Sequence, residues 1–402
     1  MNNRTITIGA VAIVALAAIF YFASSQKKVS EDIKVGILLG FTGPIESLTP
    51  DMASGAELAF NEASNSGELL GGSKITILRA DSTCVDSAAA TAAAEDLLSQ
   101  GMTAMMGADC SGVTGAVATN VAVPNGFVMI SPSATSPGLT DLEDKGMFFR
   151  TAPSDARGGQ VLADITNDKG IKSVAITYVN SDYGLGLADV YKAAVEAYGI
   201  TVTTMASHES DKADYSADVG VLSSAGGDAL AVLGYLDNAG GHIIEGSLDS
   251  GAFDTFVLSD GMIGDSLTDR FGSDLNNSFG SMPGSLGEGA QLFKSVAEAG
   301  GINASVYVGE SYDAAALIVL AMQAGESSDK GSIAENIMSV ANAPGEKIMA
   351  GEIAKGLKLL ASGKEIDYQG ATDVTFTDVG EAEGAFIEKG ISGGKFTDVA
   401  QR

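Results

Sequence analysis

From Ile33 onward, short apolar runs alternate with longer segments whose apolar positions recur at helical spacing. Ile33 to Leu39 reads as a strand and Met52 to Ala63 as a helix, and Ile75 to Ala80 with Ala88 to Leu98 repeats the pair. This alternation of strand and helix predicts a parallel sheet with helices on both faces. Two more short strands, Thr103 to Gly107 and Phe127 to Ile130, each lead into a loop of small and hydroxyl residues where a helix could begin. Around Phe148 to Asp155 the register restarts with a second series. Ser173 to Tyr178, Thr201 to Met205, Ala229 to Leu233 and Phe253 to Leu258 read as strands. Gly184 to Tyr198, Tyr215 to Ser224 and Gly240 to Leu248 read as the helices between them. Ser273 to Gly289, with Met282-Pro283-Gly284, reads as a flexible return crossing, and helices over Gly289 to Glu298 and Ser305 to Ala324 then add to the first series. Beyond Glu346 the pattern thins to a strand within Tyr368 to Asp378 and a final hairpin between Ala385 and Phe396. The expectation is an α/β chain of two lobes, with no solenoid repeat and no low-complexity block.

A length of 402 residues agrees with two lobes rather than one core. Hydrophobic residues make up 45% and charged residues 18%, a globular balance. Acids outnumber bases 51 to 23, for a formal charge of -28, which argues against nucleic-acid partners because little is available to neutralise phosphates. Ahead of the pattern, Arg4 precedes an apolar run from Ile6 to Phe22 and then Ala23-Ser24-Ser25, the small residues a signal peptidase reads. The run makes roughly 25 Å of helix, just short of the roughly 30 Å hydrocarbon core. Residues 1–25 are therefore a signal peptide or an N-terminal anchor, and export is expected either way. In an exported protein the two cysteines, Cys84 and Cys110, invite a disulfide, the other reading being two buried free thiols.

The inventory of reactive groups is poor. His208 and His242 are the only histidines, too few for a histidine metal site. Gly390-Ile391-Ser392-Gly393-Gly394 matches G-x-S-x-G, yet no histidine lies downstream to complete a hydrolase triad. Neither a dinucleotide fingerprint nor a phosphate loop occurs, so no cofactor is expected. What remains suits a zwitterion. In parallel sheets ligands collect beyond the carboxyl ends of the strands, where Thr42, Ser111 and Thr135 are expected. Helix starts there present unpaired N–H groups and partial positive charge, so Ser111, Ser133 and Thr135 could surround a carboxylate without a basic residue. The plainer alternative is ordinary strand-to-helix turns. Asp260, in Leu258-Ser259-Asp260-Gly261, is placed either to meet an ammonium or simply to turn the chain. Tyr183 and Tyr235 also follow strands of the second series.

In order along the chain stand Gly40-Phe41-Thr42-Gly43-Pro44, Asp81-Ser82-Thr83-Cys84, Gly107-Ala108-Asp109-Cys110-Ser111-Gly112 and Ser131-Pro132-Ser133-Ala134-Thr135-Ser136-Pro137. Phe149-Arg150-Thr151-Ala152-Pro153-Ser154-Asp155, Asp182-Tyr183-Gly184-Leu185-Gly186, Leu258-Ser259-Asp260-Gly261 and Tyr312-Asp313-Ala314-Ala315 follow. Each is weak alone, but in this order they resemble the periplasmic solute-binding proteins of ABC importers, of the leucine/isoleucine/valine-binding type. The resemblance covers nearly all of the chain after Asp32. It implies a two-lobed clamp with three hinge crossings, lobe 1 being residues 31–151 plus 283–374 and lobe 2 residues 152–282 plus 375–402. It further implies an aliphatic amino acid ligand, a membrane permease as partner and no enzymatic activity, the alternatives being a related amide or small carboxylate as ligand, or a membrane-tethered sensor that uses the same clamp. By position, Ser111 matches the serine on the ligand carboxylate, and Thr135 a threonine touching both carboxylate and ammonium. Ser133 matches the residue whose carbonyl accepts from the ammonium, and Ala134 lies between the two. Tyr183 and Tyr235 match aromatics that close over the ligand, and Cys84 and Cys110 match a disulfide pair. Asp260 stands where leucine-binding members carry glutamate, one methylene shorter. The side-chain subsite is expected near Thr42 to Leu48.

Overall fold

The computed structural model describes residues 32–402, so the N-terminal segment lies outside the described residues. Two sheets organise the chain. The first runs in the order β2-β1-β3-β4-β5, formed by Lys74–Asp81, Asp32–Leu39, Ala104–Gly107, Met129–Ser131 and Phe148–Arg150, all parallel. The second has the order β14-β13-β10-β9-β8-β6-β7. Its parallel part is Phe279–Pro283 (β10), Phe256–Leu258 (β9), Ala229–Leu233 (β8), Ser173–Val179 (β6) and Thr201–His208 (β7). An antiparallel hairpin, Phe386–Ser392 (β13) and Lys395–Gln401 (β14), extends its edge. A small parallel pair, Glu346–Met349 (β11) with Ile366–Gly370 (β12), stands apart.

Local chemistry starts the helices where the strands release the chain. Pro50 opens the helix Thr49–Ser66, and Gly67 ends it in the left-handed region at φ 74°. Asp86 caps Ser87–Ser99 by accepting from the N–H groups of Ala88 and Ala89. Ser154 and Ser181 do the same for Asp155–Asp168 and Asp182–Ala197. In Asp182-Tyr183-Gly184-Leu185-Gly186 the glycines serve close approach, since a Cβ at Gly184 would lie 2.1 Å from the Val179 carbonyl oxygen and one at Gly186 2.9 Å from Pro137 Cδ.

Several expectations need correction. Ser273 to Gly289 is not a loose crossing, because Phe279–Pro283 is a fully buried strand of the second sheet. Its Gly, Ser and Pro hide a strand held by β9 on one side and β13 on the other. The strand expected within Tyr368 to Asp378 ends at Gly370. The helix Ile353–Ala361 and the strand Glu346–Met349 fall where the pattern looked thin. The loop after β4 is followed by a single 3-10 turn, Pro137–Leu139, rather than an α-helix. The apparent hydrolase motif around Ser392 lies on the β13–β14 hairpin, not on a strand-to-helix elbow.

The chain leaves the first sheet after Arg150, returns from the second after Pro283, and goes back beyond Gly370 to join β13 at Phe386. In both sheets the strand order reverses, between β1 and β3 in the first and between β6 and β8 in the second. The crevice at such a reversal, beyond the carboxyl ends of the strands, is where open α/β sheets hold ligands.

Candidate functional site

The two crevices face each other across one small cavity. Its first-sheet wall holds Asp109, Cys110 and Ser111 after β3, Ser133 after β4, and Ile45, Leu48 and Met52 after β1. Its second-sheet wall holds Tyr183 after β6, Tyr235 after β8, and Asp260 with Gly261 after β9. Tyr307, just before the helix Val308–Ala324, completes the lining. The cavity volume is about 20 Å³, about the room one water needs. An amino acid can enter only if the walls part.

The first-sheet loops are stitched to one another. Ser111 opens the helix Ser111–Val117, and its Oγ accepts from the Ser136 N–H at 3.1 Å. Ser133 Oγ donates to the Asp109 carbonyl at 3.1 Å, and Ser131 Oγ accepts from the Ala134 N–H at 3.0 Å. Asp109 is fully committed, since its carboxylate accepts from Gly40 N–H, Ser82 Oγ and Cys110 N–H. Cys84 and Cys110 form a disulfide, fastening this loop to the one after β2. The geometry supplies a helix N-terminus and hydroxyls, the makings of a carboxylate site.

The opposite pole is acidic. Asp260 is buried, and Tyr183 donates to its Oδ1 at 2.6 Å while Tyr307 donates to its Oδ2. The rings of Tyr183 and Tyr235 stack with centroids 5.2 Å apart. A second buried carboxyl, Asp155, begins the helix Asp155–Asp168, and its N–H donates to the Thr135 carbonyl at 2.8 Å. Asp155 Oδ2 and Thr135 Oγ1 are both buried, and among the described residues their interaction is with each other, the Thr135 hydroxyl stabilising the Asp155 carboxylate. Burial raises the Asp155 carboxyl well above the usual range, and the Asp260 charge raises it further. Burial likewise raises Asp260, opposed by the tyrosine hydroxyls. Among the described residues no lysine, arginine or histidine lines the cavity. A buried anion without a close cation is costly, and only the Arg150 charge, outside the lining, offsets burial at Asp155.

The structure brings Ser111, Ser133, Tyr183, Tyr235 and Asp260 to one cavity. Thr135 is buried and lies behind that lining, and Ala134 turns its carbonyl to Arg150 Nη1 at 3.0 Å. Thr42 is not part of the lining; its hydroxyl donates to Asp81 at 2.6 Å. Sequence reasoning missed Tyr307 and Asp155. Tyr307 sits in an irregular connection, with φ 62° at the helix start, and carries no local signature. Asp155 was announced by Pro153-Ser154-Asp155, an N-terminal helix signal that reads as structure alone.

Residues 32–354 match the family model described as periplasmic binding protein. The chain belongs to that family. A Leu/Ile/Val-binding protein homolog 1 of Brucella melitensis biotype 1 is 30% identical over 329 residues, 80% of this chain and 85% of the relative. A homolog 3 from the same organism is 32% identical over 255 residues, 61% of this chain and 64% of that relative. Among solved structures, the branched-chain amino acid transporter substrate-binding protein LivJ of Streptococcus pneumoniae, in complex with isoleucine, aligns with a TM-score of 0.76 at 21% identity. That alignment covers 92% of this chain and 99% of LivJ. A solute-binding protein of R. palustris, in complex with benzoate, aligns with a TM-score of 0.74 at 17% identity, covering 92% and 96%. These structures establish the type I periplasmic binding protein fold for this member of the family. The homologues are substrate-binding proteins rather than enzymes. The family is extracytoplasmic, and among the described residues no helix is long and apolar enough to cross a membrane.

Proposed function

We propose that this periplasmic binding protein captures an aliphatic amino acid between its two sheets and delivers it to the permease of an ABC importer. The observation that carries the reading is the polarity of the cleft. Buried Asp260, with Asp155 close enough to feel its charge, faces a site lined by no basic residue. The helix start and the hydroxyl of Ser111, which among the described residues accepts but does not donate, supply the carboxylate pole. Ile45, Leu48 and Met52 offer an apolar subsite for the side chain. A plain aromatic carboxylate, such as the benzoate of the R. palustris protein, would leave the acids unpaired.

The binding cycle follows from the same groups. The ligand docks on the first-sheet loops at Ser111, with the buried Thr135 hydroxyl beside Asp155 coming within reach only as the loops part, and then draws in Asp260 and the tyrosines as the walls close. Only the closed arrangement completes both poles, so the ligand shifts the population toward it. The lobes are the two sheets with their helices, residues 31–151 plus 283–374 and 152–282 plus 375–402, and the three passages between them act as hinges. A permease then reads the closed shape. A thermal-shift screen against amino acids, amides and small carboxylates tests the reading, because a ligand bound only by the folded state raises its stability. Leucine, isoleucine or valine should raise the melting temperature and benzoate should not; silence across all amino acids would refute it.

A further inference from the structure

Arg150 ends β5 and is 1% exposed. Its Nη1 donates to the carbonyls of Ala134 and Ser136 at 3.0 and 2.9 Å, on either side of Thr135. Its Nη2 donates to Thr140 Oγ1 at 2.9 Å and to Glu381 Oε2, and Nε donates to the same Glu381 oxygen at 3.2 Å. Thr140 Oγ1 in turn donates to Glu381 Oε2 at 2.9 Å. The backbones agree with the side chains: Arg150 N–H donates to the Gly380 carbonyl and Ala382 N–H to the Arg150 carbonyl, each at 3.0 Å. Phe376 stacks on Phe149 with centroids 5.7 Å apart.

The placement of the pair matters more than its strength. Arg150 is the last residue of the first sheet before the chain passes to the second, and Glu381 lies on the later passage that enters β13. One planar fork thus grips two passages and the loop that carries Ser133 and Thr135. From Thr135 the connection continues, because its carbonyl accepts from Asp155 N–H on the far side of the first passage. The contacts form a contiguous path of hydrogen bonds, buried at Arg150 and part-buried at Thr140 and Glu381. We propose that Arg150 and Glu381 are positioning residues that couple the ligand loop to the hinge, so that the grip on the ligand and the angle between the lobes change together. The proposal rests on the reading of residues 131–136 as a ligand loop.

A merely structural ion pair would lower stability when broken and affect binding only through unfolding. Coupling predicts more. Glu381→Gln keeps an oxygen for the fork but removes the charge, and Arg150→Lys keeps the charge but loses the fork. Each is placed in the full chain with nitroxide labels at Ser99→Cys and Ser250→Cys, exposed positions at the ends of helices beside the first and second sheets. Pulsed electron paramagnetic resonance then reads the inter-lobe distance, with calorimetric titration of leucine and melting curves alongside. Both variants should broaden the ligand-free distance distribution and lower leucine affinity roughly tenfold; melting temperatures should fall, because Glu381→Gln leaves the buried Arg150 guanidinium unpaired, so affinity is read well below them, where each variant is fully folded. An unchanged distribution in both variants, or an affinity loss that only follows the loss of stability, overturns the coupling. Failure of the parent chain to bind any amino acid would refute the ligand reading separately, and the ligand-free distances would still decide the coupling.

Discussion

Asp155 and Asp260 are both held above the ordinary carboxylate range by burial, and the charge on Asp260 raises Asp155 further. A ligand ammonium reverses that balance by favouring the ionised forms. Binding should therefore release protons, and affinity should fall as the pH is lowered into the range where the free cleft holds them. Calorimetry in buffers of different ionisation enthalpy reads the release directly; heats independent of buffer would contradict it. Removing the charge is a sharper test: Asp260→Ala should cost roughly 2 to 5 kcal/mol of amino acid binding by leaving the ammonium unpaired, and undiminished affinity would take Asp260 out of the site. His208 gives a second pH signature, in stability rather than binding. It is buried at the end of β7, with Nδ1 2.8 Å from Thr177 Oγ1 and Nε2 unpartnered, and burial lowers its pKa from 6.5 to about 4. The unfolded chain takes up this proton below 6.5 while the folded chain refuses it until about 4. Its contribution is thus full above that window and is lost as the pH falls through it, about 3 kcal/mol in all. Urea unfolding across the window should show the loss, and His208→Gln should flatten it.

At the scale of elements, the Cys84–Cys110 disulfide closes a sequence separation of 26 residues and holds the loop that begins the Ser111 helix. Replacing both cysteines by serine should lower stability by roughly 3 to 4 kcal/mol in the chain-entropy model. It should also weaken ligand binding by loosening Ser111, which chemical denaturation and calorimetry measure separately. The same elements show what a sequence can and cannot reveal. Ile33 to Leu39 and Ala229 to Leu233 were legible because short, mainly apolar runs that alternate with helical segments mark the strands of a covered parallel sheet. Phe279–Pro283 was not, because Gly280, Ser281 and Pro283 lack side chains that advertise a strand, and pairing with β9 and β13 overrides that local preference. For the cleft, Ser111, Tyr183 and Asp260 could be read as candidates because each lies in the short loop beyond a strand end. Tyr307 could not, since its hydroxyl reaches Asp260 only through the packing of an irregular loop against the second sheet. Asp155 was visible only as a helix-start residue, and its closeness to Asp260 is a fact of tertiary structure.

Across the whole molecule, the two lobes touch away from the ligand as well as around it. The Ser47 N–H donates to Asp237 Oδ2 at 2.8 Å, and the Asp237 N–H donates to the Pro44 carbonyl at 3.2 Å. Ser266 Oγ holds the other carboxylate oxygen at 3.0 Å and lies 3.3 Å from Ser47 Oγ. Elsewhere along the interface, Ser136 Oγ donates to the Asp182 carbonyl at 3.1 Å. Asp237 lines no part of the ligand cavity, so it can favour the closed state without touching the ligand. A clamp's apparent affinity is its intrinsic affinity scaled by the population able to close. Asp237→Ala removes the Ser47 contact across the interface, worth about 0.5 to 1.5 kcal/mol and less where it is open to water, whereas the Ser266 contact lies within the second lobe and is the same in both states. Affinity for the amino acid should therefore fall roughly threefold to tenfold, mostly through faster release, because contacts formed after docking act on the rate of opening. The chain has 10 tyrosines and no tryptophan, so stopped-flow tyrosine fluorescence can follow release directly. A slower association rate with unchanged release would place Asp237 in the encounter rather than in the latch. The proton release predicted for the acid pair should survive in this variant, because Asp155 and Asp260 keep their surroundings. Its loss would mean that the latch and the zwitterion site are one unit rather than two.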